Sequence, residues 1–261
     1  METLFFLMYP FLACVLLISI HAYFGIHVLE RGIIFVDLSL AQFIALGIAV
    51  SFLGGHDGQG HDLYSIVFAV IGALILSCSK AISRHINVEA FIGVMYVFSL
   101  AASILILERT PHGFDEFKAI LNGNILWVTK KELIETFCLY ATIGAFHFIF
   151  RRRFFCLSYE GKGGFLWEFL FFLSFALVLT SSVKLAGILQ VFSFLVIPAL
   201  IGKLFTKSPA NMLIIGWLTG LVVSILAIAA SYSLDIPTAP LIVASMSAVF
   251  FASLALKWQR K

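Results

Sequence analysis

Apolar residues run in blocks of about 18 to 22 along the whole chain, each long enough to cross a bilayer as a helix. The blocks predict nine spans, at about 3–24, 32–53, 63–79, 90–107, 133–150, 165–182, 186–202, 212–233 and 240–256. Only Val183, Lys184 and Leu185 separate the sixth from the seventh, so a tight outer hairpin and a broken helix are both open there. The longest connection, 108–132, has a pattern of its own. Phe114, Phe117 and Leu121 recur at helical spacing with Asp115, Glu116 and Lys118 between them, which predicts an amphipathic helix lying on the outer surface. "NGN" at 122–124 offers that helix a stop, and Trp127 suits a membrane interface before the fifth span.

Composition excludes a water-soluble domain. Of 261 residues, 61% are hydrophobic and 12% charged, where a soluble domain carries about twice that charged fraction. The chain reads as an all-α integral membrane protein with one transmembrane domain over 1–261 and the lipid bilayer as its solvent. With the N-terminus outside, twelve of the seventeen Lys and Arg fall on the inner side: Arg31, Lys80, Arg84, Arg151, Arg152, Arg153, Lys162, Lys203, Lys207, Lys257, Arg260 and Lys261. That bias predicts an N-out, C-in orientation. The net charge of +3 forms no stripe, so no nucleic-acid partner is expected. The start, METLFF, lacks the basic region of a signal peptide, and the first apolar run is read as a span. Cys14, Cys78, Cys138 and Cys156 form no CxxC pair and are expected to be small buried hydrophobes without a disulfide framework.

The polar residues inside the second span bear on chemistry. Asp37 lies five residues into that span, roughly 8 Å from the inner surface at 1.5 Å per residue. Two readings are open for it: a first-turn carboxylate favoured by the helix dipole and reaching interfacial water, or a pathway residue. Gln42 lies about 15 Å in, near the midplane, and Ser39 three residues earlier shares its face. That face is expected to meet a bundle interior or a cavity, through an interhelical hydrogen bond or a transported solute. Asp37, Ser39 and Gln42 are therefore the candidate pathway residues.

"GGHDGQGHD" at 54–62 brings His56, Asp57, His61 and Asp62 together in a glycine-rich outer loop. Imidazole with carboxylate suits Zn²⁺ or Mn²⁺, so these four are capture candidates, against the plainer reading of a solvated loop. Pro198 in "LVIPALIG" is expected to kink the seventh span, and "GWLTG" at 216–220 fits the close-packing pattern GxxxG. His21, His27, His85, His112 and His147 read as interfacial histidines. The chain contains no HExxH, GxSxG or P-loop, so it is not read as an enzyme, and ATP-driven work must come from another subunit.

Five segments, in order, resemble one family: the ABC-3 type membrane permeases of bacterial zinc and manganese importers. They are "VLERGIIFVDLSLAQFIALGIAV", "FIGVMYVFSLAASILIL", "LNGNILWVTKKEL", "LAGILQVFSFLVIPALIGKLF" and "LDIPTAPLIV". The resemblance implies the permease fold of the metal and vitamin B12 importers, in the bacterial cytoplasmic (inner) membrane. It further implies a homodimer with a central pathway, two ATP-binding cassette subunits, and an extracytoplasmic metal-binding protein that delivers zinc, manganese or iron. No covalently bound cofactor is expected; the metal is cargo, and ATP acts through the partner subunit.

The sequence departs from the family pattern at informative places. Gln42 stands where the family has its span-two histidine, Leu38 where it has an aspartate, and Asp37 at a glycine position. Asn124 replaces the aspartate of the outer G-D pair. Amides bind divalent transition metals weakly, so the metal-contacting groups are softened. The inner loop "RRRFFCLSYEGKGG", where the resemblance places a short ATPase-docking helix, is several residues shorter than the family pattern. Two other readings stand beside the importer: a secondary transporter coupled through Asp37, and a non-transporting membrane partner descended from such a permease.

Overall fold

A computed structural model describes residues 2–53, 59–110, 115, 118, 121–123 and 125–259, with side chains left aside at 2–6, 59 and 60. It is all-helical: α1 (Glu2–Arg31), α2 (Val36–Leu53), α3 (Gln59–Ser77), α4 (Ser79–Ile82), α5 (Val88–Leu107), a 3₁₀ turn (Ile125–Trp127), α6 (Lys130–Ile149), α7 (Arg151–Tyr159), α8 (Phe165–Phe205), α9 (Pro209–Leu234) and α10 (Thr238–Trp258). Seven of the described helices are long and apolar enough to cross a membrane, and His61–Ser77 is a shorter apolar helix.

The predicted gap between the sixth and seventh spans is a broken helix. α8 runs 41 residues, and its one non-helical position is Gly187, at φ 75° and ψ 162°. Only glycine adopts such angles without strain. The break therefore falls past the predicted connection, and Pro198, the expected kink, keeps helical backbone angles. In the outer connection, Asp115 and Lys118 are helical and exposed; Phe114, Glu116, Phe117 and Asn124 lie outside the described residues.

The chain divides into two compact units. The first comprises Met1–Leu29, Asn122–Gly144 and Lys184–Lys261. Lipid supplies no hydrophobic drive between spans, so close backbone approach at small residues carries their packing. A Cβ at Gly25 would lie 2.0 Å from the Leu195 carbonyl oxygen, and one at Gly202 2.5 Å from that of Met212. The two glycines of GWLTG are used in the same way, Gly216 against Pro198 and Gly220 against Ile18. Trp217 Nε1 adds a hydrogen bond to the Ser19 carbonyl at 3.1 Å. Gly123, at φ 62°, packs its Cα against the α8 break: a Cβ there would lie 2.1 Å from the Ala186 carbonyl carbon and 2.2 Å from the Gly187 nitrogen.

The second unit comprises Glu30–Leu121 and Ala145–Val183. Its central helix is α2, packed on α3 and α5, with thirteen of eighteen residues buried. Gly47 lets α2 approach the Tyr64 carbonyl, and Gly72 of α3 meets Leu40 and Phe43. A helix buried nearly all round has no need of an amphipathic stripe, which is why α2 reads as uniformly apolar apart from its few polar residues.

Candidate functional site

α2 begins after a turn in which Gly32 takes φ 66° and the Val36 amide donates to the Ile33 carbonyl. The Phe35 amide donates to Glu89 Oε1 in the first turn of α5. Asn87 caps that same helix by accepting from the Ala90 amide. The start of α2 is thereby held against the start of α5.

Asp37 is 1% exposed, and its Oδ1 accepts from the neighbouring Leu38 amide. The expectation that it reaches interfacial water is corrected: depth along the helix is shallow, but the side chain is enclosed laterally. Ser39 and Gln42 are also fully buried. Ser39 Oγ and Gln42 Oε1 have no hydrogen-bond partner among the described residues. A buried acceptor left unmade costs about 1–3 kcal/mol, so this face carries unspent binding capacity three residues apart on one helix.

Of the loop candidates, His56 and Asp57 lie outside the described residues. His61 and Asp62 belong to the first turns of α3 rather than to a loop. His61 Nδ1 bonds to Ser51 Oγ, and its ring lies 4.5 Å from that of Phe52. His61 thus ties α3 back to the end of α2. No cluster of three or more His, Cys, Asp or Glu is placed to hold a metal among the described residues.

Other sequence expectations change with packing. His21, His27 and His147 are buried, not interfacial; His85 is exposed, and His112 lies outside the described residues. His147 stacks on Phe154 at 3.9 Å between centroids, and its Nε2 meets Ser174 Oγ at 2.7 Å. Cys14 is buried as expected, but Cys78 and Cys138 are exposed and Cys156 is half-buried. A thiol is apolar enough to face lipid at little cost.

The feature that sequence reasoning missed is an ion cluster of Arg31, Lys80 and Glu168. Arg31 Nη2 meets Glu168 Oε2 at 2.5 Å, and Lys80 Nζ meets Glu168 Oε1 at 3.1 Å. Glu168 is 1% exposed. The Arg31 guanidinium also lies 5.0 and 4.8 Å from the ring centroids of Phe171 and Phe172. Lys80 donates further to the carbonyls of Gly161 and Gly163, which follow α7. One signal was available: Glu168 is the only acid between Glu160 and Asp235.

α7 itself is a short helix that buries Phe154, Leu157 and Ser158 and leaves Arg151, Arg152 and Arg153 exposed. Burial, and then the carboxylate of Glu30, push the Tyr159 phenol up to about 12. The segment between α6 and α8 is thus an ordered, basic helix held at its far end by the ion cluster.

Comparison with known proteins places these features. The profile described as "ABC 3 transport family" matches residues 4–257. The "Probable metal transport system membrane protein" of Chlamydia muridarum is 25% identical over 242 residues, covering 89% of this chain and 83% of the relative. The "Manganese import system permease protein ScaB" of Streptococcus parasanguinis is 24% identical over 234 residues, covering 87% and 81%. PsaBC from Streptococcus pneumoniae, solved in complex with Fab, superposes with a TM-score of 0.77 at 22% identity, over 95% of this chain and 90% of that one.

Proposed function

The chain belongs to the ABC 3 transport family, and on that premise we propose that it is the permease through which a divalent metal, manganese first, is imported. It is a multi-pass membrane protein, and ATP hydrolysis lies in a separate subunit. The observation that carries the metal reading is the pair of buried, unpartnered oxygens on α2, Ser39 Oγ and Gln42 Oε1. By the resemblance, Gln42 stands where the family has its span-two histidine, and thirteen of the eighteen residues of α2 are buried. The streptococcal relative named for manganese import supports manganese over zinc or iron.

In this reading two copies form the pathway, an extracytoplasmic binding protein delivers the ion, and two ATP-binding subunits drive it. With the N-terminus outside, α7 faces the cytoplasm as the docking helix. Its ordered fold and exposed arginines support retained coupling over a permease that has lost transport. Purified with its ATP-binding cassette subunit, the protein is expected to stimulate ATP hydrolysis, and its deletion to reduce uptake of radiolabelled manganese. Absence of both effects overturns the proposal.

Two substitutions probe the pathway directly. Gln42→Met removes the unpartnered acceptor at similar volume, and is expected to raise the melting temperature while lowering metal uptake. Gln42→His supplies the stronger imidazole ligand, and is expected to increase zinc or manganese transport. If Gln42→Met leaves uptake at the native level, the amide is structural only.

A further inference from the structure

We propose that the corner between α6 and α7 binds the headgroup of an anionic phospholipid through Arg151, Arg152 and Arg153. The proposal goes beyond the importer reading and needs only that the chain lies in a membrane. The corner forms an open cavity of about 480 Å³ lined by Phe148, Ile149, Phe150 and the three arginines. Small-ligand sites run to roughly 300–1,000 Å³. α6 is long and apolar enough to cross a membrane, and its last turn leaves Phe148 67% and Ile149 71% exposed. Surface suited to acyl chains thus leads directly to three guanidiniums, in the order in which a phospholipid presents its own tail and head.

Aromatic rings hold two of the arginines. Arg151 Cζ lies 4.9 Å from the ring centroid of Phe148, and Arg153 Cζ 5.9 Å from that of Trp167. Trp167, in the first turn of α8, packs 5.3 Å from the ring of Phe150, and tryptophan favours the membrane interface. A ring face attracts a cation without neutralising it, so the guanidiniums keep their charge and their donors. No acidic residue lies between Glu135 and Glu160 in the chain. Glu160 pairs with Lys162 at 3.4 Å, and Glu168 with Arg31 and Lys80. Among the described residues none of the three arginines has an ion-pair partner.

A guanidinium fork matches two phosphate oxygens at once. The rule that basic residues stay on the inner side accounts for arginines after a span. It does not account for a cavity that they share with residues facing hydrocarbon. That apolar wall also separates a lipid from the other anionic occupant, an acidic surface of a water-soluble subunit, which cannot follow Phe148 and Ile149 into the bilayer. Three positive charges favour a headgroup with two phosphates, so diphosphatidylglycerol is the expected ligand ahead of phosphatidylglycerol.

The test is native mass spectrometry of the full-length protein, purified in detergent, stripped of lipid and titrated with diphosphatidylglycerol, phosphatidylglycerol or zwitterionic phosphatidylcholine. One diphosphatidylglycerol per chain is expected to bind ahead of both other lipids. Arg151→Gln, Arg152→Gln and Arg153→Gln are each expected to weaken that binding by about fivefold, the equivalent of ~1 kcal/mol per basic residue at an anionic membrane surface. The three changes together are expected to bring it down to the phosphatidylcholine level. The side chains are exposed, so elution and melting temperature are expected to stay native. Changing all three to lysine keeps the charge but loses the fork, and is expected to give intermediate affinity. Native affinity in the lysine variant overturns the site by showing diffuse attraction, and displacement of the lipid by inorganic phosphate overturns it by showing a free-anion site. Native lipid binding in the triple glutamine variant, with capture of the ATP-binding cassette subunit lost, assigns the arginines to that partner and overturns it too. Manganese uptake is read separately, so failure of the lipid site and failure of the importer reading are distinct results.

Discussion

Glu168→Leu is expected to destabilise the protein by about 3–5 kcal/mol, the scale for stranding a buried charge by removing its partner. Arg31 bears most of that cost. Its side chain is 11% exposed, and one of its terminal nitrogens is already without a hydrogen-bond partner. Lys80 is 44% exposed and can turn to water, so its share is small. The readout is the melting temperature of the detergent-solubilised protein, followed by the loss of its monodisperse elution peak. The double variant Arg31→Met, Glu168→Leu is expected to recover most of the loss, because it removes both charges and leaves apolar groups against Phe171 and Phe172. A single variant that melts like the native protein would show that the cluster does not hold Arg31 in place.

The second large effect is expected at Gly123. Its φ of 62° favours glycine, and the backbone of Ala186 and Gly187 occupies the place of a Cβ. Asparagine tolerates the backbone angle but not the contact. Gly123→Asn is therefore expected to destabilise by about 1–3 kcal/mol through overpacking. Gly161, at φ 65° with nothing within 4 Å of its Cβ position, supplies the control. Gly161→Asn is expected to leave the melting temperature almost unchanged. Equal effects at both positions would mean that backbone angle, not the approach to the α8 break, governs them.

The spans were legible because apolar runs of bilayer length have few other readings. The all-helical architecture and the family followed from segments such as "FVDLSLAQFIALG" and "LNGNILWVTKKEL". What escaped was lateral. Rise per residue gives the depth of Asp37 but not the α2 neighbours that enclose it. His147 sits near a span end in sequence, yet Phe154 of α7 covers its ring. Arg31 and Lys80 were read for orientation, although their partner Glu168 lies 137 residues beyond Arg31. The break at Gly187 was hidden because glycine within an apolar run marks a helix contact as readily as a turn, and the charged Lys184 drew the boundary to itself. Of the candidate site, the polar positions of α2 were legible, but the unmet oxygens were not, since satisfaction is a property of neighbours.

The glycines of GWLTG carry a warning for anyone who studies α9 in isolation. Excised as a peptide, α9 would present Gly216 and Gly220 to a second copy of itself, and reporter assays of span self-association would score it positive. In the intact chain those surfaces are already filled by Pro198 and Ile18. A positive peptide result would measure the vacancy created by the excision, and cross-links aimed at an assembly contact belong away from the face that Gly216 and Gly220 present.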